Sequence, residues 1–279
     1  MNRKFPFRHA IPNLVLYVLL ILVALVVLFP LYFALDSSLL TTAQAASYPP
    51  TLFPTQLNLA NYRDALNQAP LFRYLLNSTV QSGLVALGQL LTASLAAYAF
   101  AFLNFKGRTF FFLLFLSTMM IPFEATIIPN YLFVRSLKWA DTFQGLAAPF
   151  MATAFGTFLL RQFFLSIPKD LHDAAIMDGC GNLRFLTMIV VPLARPALGT
   201  LAVYSFLQTY NQYLWPLLIT GKKDMRTVQI GITMLQVEER FTFNIVMAGV
   251  IIILLPTITL FILANRQLIR GLTAGAVKG

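Results

Sequence analysis

The segment DAAIMDG, residues 173–179, contains two carboxylates, two adjacent alanines and a glycine. Upstream, Pro168 suits the first turn of a helix, and Asp170 complements the positive helix N-terminus. Alanine side chains let another backbone approach closely, and glycine commonly follows a helix C-terminus. The pattern predicts a short helix that either docks into a groove on another protein or lies on a membrane surface. The candidate docking residues are Asp173, Ala174, Ala175, Asp178 and Gly179.

Catalytic groups are scarce. The sequence has only two histidines, His9 and His172, and one cysteine, which excludes His-rich metal sites, multi-cysteine metal sites and internal disulfides. The H-x-x-x-x-D spacing of some membrane acyltransferases, counted from His172, would require an acid where Met177 stands. A phosphate-binding loop G-x-x-x-x-G-K-[ST] is also missing, because Gly221-Lys222 lacks the first glycine and the hydroxyl residue. We therefore expect neither a catalytic centre nor a bound metal or cofactor.

A further set of polar residues lies within apolar sequence. Glu124 is one of them, and an ionisable group at membrane depth costs ~3 kcal/mol or more, so it usually faces a bundle interior or water. It either lines a pathway or acts as a structural partner near Pro122 and Pro129. The segment YNQYLW offers amides for hydroxyl groups and rings for sugar faces, although its aromatic residues also suit a membrane interface. Its candidate pathway residues are Tyr210, Asn211, Gln212, Tyr213 and Trp215.

Membrane-spanning helices must position these segments. Of the 279 residues, 58% are hydrophobic and 11% are charged, whereas soluble domains carry about 25% charged residues. Several uncharged runs are long enough to cross a hydrocarbon core of ~30 Å. The predicted spans are residues 12–35, 76–103, 109–134, 142–164, 185–220 and 243–265. The fifth exceeds one crossing, so we expect its first turns to lie at the surface.

The distribution of Lys and Arg predicts the orientation. The first run is read as a retained span, because the apolar core of a cleaved signal is only ~7–15 residues long. Because successive spans cross the membrane in opposite directions, the predicted inner loops are residues 1–11, 104–108, 165–184 and 266–279. Twelve of the 20 Lys and Arg lie in or beside these loops, which favours cytoplasmic termini by the positive-inside rule. The net charge of +10 is attributed to these loops and not to nucleic-acid binding.

Residues 173–192 resemble the EAA loop of permease subunits in binding-protein-dependent ATP-binding-cassette importers. That family's pattern is E-A-A, three residues, G, nine residues and I-x-L-P. Asp173-Ala174-Ala175 with Gly179 match the first half, with Asp in place of Glu. Ile189 to Pro192 match the second half, with Val191 in place of Leu.

Three other segments carry the same resemblance. The C-terminus RGLTAGAVKG is similar to the tail of maltose-type permease subunits with six spans. The segments MIPFEATIIPNY and YNQYLWPLLIT are similar to spans of carbohydrate and glycerol-3-phosphate permeases. Together these likenesses extend over most of the chain from about residue 70.

The resemblance implies an all-α integral membrane protein with six transmembrane helices, the type I importer permease fold. Residues 1–11 would form a cytoplasmic N-terminus, 12–267 the permease domain and 268–279 a cytoplasmic tail. The loop 165–184 would carry a coupling helix seated in a cleft of an ATPase subunit. The tail residues expected to contact the ATPase are Gly271, Leu272, Thr273, Ala274 and Gly275.

The resemblance also implies the partners and the location. These are a second permease subunit, a dimer of cytoplasmic ATPase subunits that bind ATP and Mg, an extracytoplasmic solute-binding protein, and the lipid of a bacterial cytoplasmic (inner) membrane. The implied solute is an oligosaccharide or polyol glycoside, with glycerol-3-phosphate or a glycerophosphodiester as the second candidate. A secondary transporter would favour inverted repeats with interrupted helices, and no repeat is visible. A membrane-embedded transferase would need catalytic residues that this sequence lacks.

Overall fold

A computed structural model describes residues 10–49, 51–237 and 242–273, with side chains described except at 10–14, 237 and 264–273. Over these ranges the chain is helical and contains no strand. The α-helices are α1 (Ala10–Leu39), α2 (Thr42–Ala45), α3 (Ala60–Gln68), α4 (Leu71–Phe102), α5 (Arg108–Ser117), α6 (Phe123–Ser136), α7 (Phe143–Ala147), α8 (Ala154–Phe164), α9 (Lys169–Met177), α10 (Asn182–Phe185), α11 (Val191–Leu193), α12 (Arg195–Tyr210), α13 (Leu214–Ile219), α14 (Val228–Val237) and α15 (Phe243–Thr273). Short 3₁₀ helices cover Thr118–Met120, Ala148–Phe150 and Lys223–Met225, and a π-helix covers Leu186–Val190.

Three single helices are long and apolar enough to cross a membrane: Val15–Leu39, Leu71–Phe102 and Phe243–Leu263. Three further spans are pairs of helices joined at a sharp bend. The bend is 96° between Arg108–Met120 and Phe123–Ser136, 50° between Phe143–Phe150 and Ala154–Phe164, and 82° between Asn182–Leu193 and Arg195–Tyr210. With each bent pair counted as one span, the six predicted runs are all present.

The three bends were not predicted from the sequence, which indicated only where apolar runs are long enough to span. In the third run Ile121 precedes Pro122 and adopts extended backbone, as residues before proline tend to do. In the fourth run the freed carbonyls of Phe150 and Met151 accept hydrogen bonds from side chains of α4. In the fifth run the bend falls at Ala194, between two prolines of the sequence VPLARP. Its first part therefore runs at a steep angle to α12, and its placement at the membrane surface stays a prediction.

The chain divides into two compact units. The first contains residues 1–69 and 234–252, and the second contains residues 70–233 and 253–279. In the first unit the Asn61 amide nitrogen donates to the carbonyl oxygens of Ser38 and Leu40, each at 2.8 Å. The Asn244 amide nitrogen donates in turn to Asn61 Oδ1 at 2.8 Å. These buried bonds fix the segment that follows α1.

The second unit is built on α4, which packs along α8 and α12. Small residues make the close packing possible. A Cβ added at Gly156 of α8 would lie 3.1 Å from both methyl carbons of Leu201 in α12. The core of this unit includes Leu160, Phe164 and Leu201, and it extends without interruption to α9 and α10. The polar segment predicted from the sequence is therefore attached to the same core as the spans.

Candidate functional site

The segment 169–179 forms the predicted short helix. Pro168 precedes the first residue of α9, and Asp170 lies in its first turn. The helix ends at Met177, and Gly179 has φ +71°, a left-handed backbone that glycine adopts without strain. The amide N–H groups of Asp178 and Gly179 donate to the carbonyls of Ala174 and Ile176, each at 3.0 Å, and close the helix.

One face of α9 is open and the other is held by the core. Ala174 is exposed, as are Ile176 and Met177, at 56% and 83%. Ala175 is only 6% exposed and packs into the core of the second unit. Of the two predicted docking alanines, only Ala174 thus offers its side chain to a partner. The carboxylates of Asp173 and Asp178 lie on exposed residues, and a Cβ at Gly179 would meet open space.

An aromatic contact joins α9 to the spans. The His172 ring stacks on Phe102 at the end of α4, with centroids 5.4 Å apart, and meets the edge of Phe185 at 5.0 Å. Nearby, the Tyr98 hydroxyl donates to Asn182 Oδ1 at 3.1 Å. From the sequence, His172 was a candidate only for acid–base chemistry, whereas in the structure its ring packs between Phe102 and Phe185. These contacts attach α9 to α4 and to the chain leading into α12.

A cavity of about 490 Å³ lies at the bends of the third and fourth spans and beside the end of α12. Its wall comes from the start of α6, from Phe150 at the end of a 3₁₀ helix, and from the chain that runs from the last turn of α12 into the first residues of α13. Irregular backbone at membrane depth is tolerated where it is buried or lines a cavity. The lining residues are Phe123, Glu124, Phe150, Gln208, Gln212, Tyr213, Leu214 and Trp215.

The cavity brings together four of the six candidate pathway residues, Glu124, Gln212, Tyr213 and Trp215. Glu124 is exposed and lies in the first turn of α6, where a negative charge is favoured. Within the described part of the chain its carboxylate makes no ion pair or hydrogen bond. The alternative role of Glu124, as a partner for groups freed by the nearby prolines, is not observed.

Trp215 and the two remaining candidates have structural contacts. Trp215 is 1% exposed, and its indole N–H donates to the Gly145 carbonyl at 3.1 Å. It is therefore a core side chain with one edge at the cavity. Tyr210 is buried, and its hydroxyl donates to the Ile253 carbonyl at 2.8 Å. Asn211 is exposed and accepts from Gln229 at 3.3 Å. Tyr210 and Asn211 do not line this cavity.

Four lining residues were not predicted from the sequence: Phe123, Phe150, Gln208 and Leu214. Gln81, which donates to Gln212, was not predicted either. Gln81 and Gln208 were detectable as amides within apolar runs, but the partners of Gln81 are remote in sequence. The predicted tail residues Gly271, Leu272 and Thr273 continue the helical backbone of α15. Ala274 and Gly275 lie outside the described residues.

Comparison with known proteins agrees with this arrangement. A family model described as a binding-protein-dependent transport system inner membrane component matches residues 89–273. The sn-glycerol-3-phosphate transport system permease protein UgpE of Brucella abortus is 35% identical over 274 residues, covering 95% of this chain and 97% of that protein. The protein of the same name from Escherichia coli is 38% identical over 264 residues, covering 92% of this chain and 94% of that protein.

A solved structure shows the same fold. It is the crystal structure of a bacterial ABC transporter involved in the import of the acidic polysaccharide alginate, matched with a TM-score of 0.80. The match covers 95% of this chain and 99% of that chain at 24% sequence identity. The predicted type I importer permease fold is confirmed. The chain belongs to the binding-protein-dependent transport system inner membrane components, the permease subunits of ATP-binding-cassette importers.

Proposed function

We propose that this permease subunit couples ATP hydrolysis by a dimer of cytoplasmic ATPase subunits to uptake of a solute from an extracytoplasmic binding protein. A second permease subunit completes the pathway, and ATP and Mg bind to the ATPases. The observation that carries the proposal is α9, a short helix with an exposed face at Ala174 and a buried face fixed to the spans.

The proposed mechanism is that of a lever. Closure of the ATPase dimer displaces α9, which is seated in a cleft of one ATPase subunit. The stacking of His172 on Phe102 and Phe185 transfers the displacement to α4 and to the chain that leads into α12. The broken spans then change their angles, and the cavity between them opens to one side of the membrane or the other. Residues 271–275 would add a second contact along the ATPase surface.

The proposed solute is a sugar or a sugar-like polyol glycoside. The cavity offers an unpaired carboxylate at Glu124, amides at Gln208 and Gln212, and aromatic rings including Tyr213. Hydroxyl groups both donate and accept hydrogen bonds, so they satisfy such a mixed lining. Among its described lining residues there is no Lys or Arg to balance a phosphate. Glycerol-3-phosphate is the second candidate, because the UgpE relatives are named for its transport.

The experiment replaces Ala174 with Arg in the chain expressed with its neighbouring transport subunits. A guanidinium in a close helix–groove contact should lower both ATPase co-purification and solute-stimulated ATP hydrolysis by at least about tenfold. Maltose and glycerol-3-phosphate, each added with the cognate binding protein, are the probes that separate the two candidate solutes.

The matched control is Ala60→Arg, which places the same side chain on the exposed start of α3. It should retain the ATPase subunits and their stimulation. Normal co-purification and normal stimulation in Ala174→Arg would refute the coupling role of α9. Stimulation by neither probe would refute the proposed solute classes.

A further inference from the structure

The loop that joins α4 to α5 carries uncompensated positive charge. Residues 104–110 line a cavity of about 560 Å³, into which this loop brings Lys106 and Arg108. Lys106 is exposed, and Arg108 donates from Nη1 to the Leu103 carbonyl at 3.2 Å. Neither side chain has an acidic partner within the described part of the chain, and no acidic residue lines the cavity. The cavity therefore favours an anion.

A third positive charge lies behind this loop. The guanidinium carbon of Arg161 lies 4.1 Å from the centroid of the Phe112 ring, in the first turns of α5. Its Nε donates to the Phe100 carbonyl at 3.1 Å, so Arg161 is fixed against the last turn of α4. Arg161 too has no acidic partner among the residues described. Three cationic side chains thus surround the point where α4 ends and α5 begins.

An apolar groove adjoins this polar cavity. It has a volume of about 430 Å³ and is lined by Ala96, Phe100, Phe111, Leu114, Phe115 and Thr118 of α4, α5 and the turn that follows. Two aromatic pairs connect the groove to the cavity. Phe100 of the groove contacts Phe105 of the cavity with ring centroids 6.0 Å apart, and Phe111 contacts Phe110 at 5.6 Å. A single molecule with an anionic head and an apolar tail would fill both.

We infer that this composite site binds an anionic phospholipid, with the phosphate at Lys106 and Arg108 and one acyl chain along the groove. Helices α4 and α5 both belong to membrane spans, so the loop between them lies at headgroup depth. Lys and Arg near a membrane surface attract anionic lipids. The same loop contributes Asn104 and Arg108 to a second cavity that reaches His172 and Asp173 of α9. The lipid phosphate consequently sits beside the helix proposed to meet the ATPase.

Native mass spectrometry of the full chain, with whatever subunits co-purify, measures the bound lipid directly. The probes are phosphatidylglycerol and phosphatidylcholine, supplied in equal amounts in mixed micelles. The wild-type chain should retain phosphatidylglycerol preferentially. Each basic side chain near a membrane surface strengthens binding of an anionic lipid roughly fivefold. The double variant Lys106→Gln/Arg108→Gln should therefore bind phosphatidylglycerol about thirtyfold more weakly than the wild-type chain.

Two further variants separate charge from shape. Lys222→Gln/Lys223→Gln removes two exposed positive charges from another loop and should leave retention unchanged. Ala96→Leu narrows the apolar groove without altering any charge and should also weaken retention. The inference is overturned if the two double variants behave alike. It is equally overturned if inorganic phosphate displaces the lipid while Ala96→Leu binds normally, since the site would then recognise a soluble anion.

Discussion

At the scale of single residues, Gln81 determines which groups the cavity presents. Its side chain is 1% exposed, and Nε2 donates to Gln212 Oε1 at 3.0 Å and to the Leu146 carbonyl at 3.3 Å. Because the oxygen of Gln212 is engaged, its amide N–H groups remain as donors for a solute. Glu124 supplies the complementary acceptor. Gln81 is therefore a positioning residue that does not itself line the cavity.

Replacing Gln81 with Leu should raise the KM for solute uptake by about tenfold. The partly buried amide oxygen of Gln212 would lose its hydrogen-bond donor, which costs about 0.5–1.5 kcal/mol and lets the side chain rotate away from the solute. A purely structural role would lower the amount of folded protein without changing KM. Transport kinetics in proteoliposomes, normalised to folded transporter, distinguish the two.

The control for this prediction is Thr92→Val. Thr92 also lies on α4, and its hydroxyl donates to the Met151 carbonyl at the break of the fourth span, at 2.8 Å. It lies outside the cavity lining. The variant should lose some stability and keep the wild-type KM. An unchanged KM in Gln81→Leu would show that Gln212 is oriented by other contacts.

Residue types alone predicted part of this site. An acid and an amide–aromatic segment within apolar sequence indicated Glu124, Gln212 and Tyr213, and the structure places them around one cavity. The same reasoning failed to exclude Tyr210, because its partner is a carbonyl of α15, 43 positions away. It also failed to find the pairing of Gln81 with Gln212, which lies 131 positions away. Such contacts depend on helix packing and have no local signature.

At the scale of the elements, the broken spans are the main feature that hydropathy did not reveal. Apolar composition predicted where the chain crosses, because burial in lipid depends on average hydrophobicity. The positions of the breaks depend on which side chains satisfy the freed carbonyls. At the fourth span Gln89 donates to the Phe150 carbonyl at 2.8 Å, and Gln89 belongs to α4. A break is stable here because a neighbouring helix supplies this donor.

Close approach of α4 to the fourth-span break gives a prediction about glycines. A Cβ at Gly88 would lie 2.7 Å from Met151 Cβ and 3.2 Å from its Cα, so the backbones would have to separate. A Cβ at Gly83 on the same helix would meet nothing within 4 Å. Gly88→Ala should destabilise the chain by about 1–3 kcal/mol, whereas Gly83→Ala should be neutral or stabilising by about 0.5–1 kcal/mol.

Thermal unfolding of the purified full chain in detergent compares these two variants. A lower midpoint for Gly88→Ala, with an unchanged or higher midpoint for Gly83→Ala, would support close packing of α4 against the break. Equal midpoints would show that the fourth span shifts freely relative to α4. The pair is well matched, since both sites lie inside one helix and each variant adds one methyl group.

At the scale of the whole molecule, the number of crossings and the family followed from the sequence. Long uncharged runs predicted the spans, and the composite motif at 173–192 predicted the importer family. The rigid attachment of α9 did not follow from the sequence, because Phe102 and Phe185 come from separate elements that meet only in the folded chain. Periodicity within α9 could not show which alanine faces that core.

Orientation across the membrane yields the last prediction, because the chain contains a single cysteine. Cys180 follows α9 and is partly exposed. With twelve of the 20 Lys and Arg assigned to the inner side, the loop 165–184 should be cytoplasmic. A membrane-impermeant maleimide should therefore label Cys180 in inside-out vesicles stripped of peripheral proteins, and leave it unlabelled in intact spheroplasts.

The reference is Cys180→Ala/Ser47→Cys, whose exposed thiol in the loop after α1 should show the opposite pattern. Labelling of Cys180 from outside would place α9 beyond the reach of any cytoplasmic ATPase, since a helix on that face could not transmit nucleotide-driven movement.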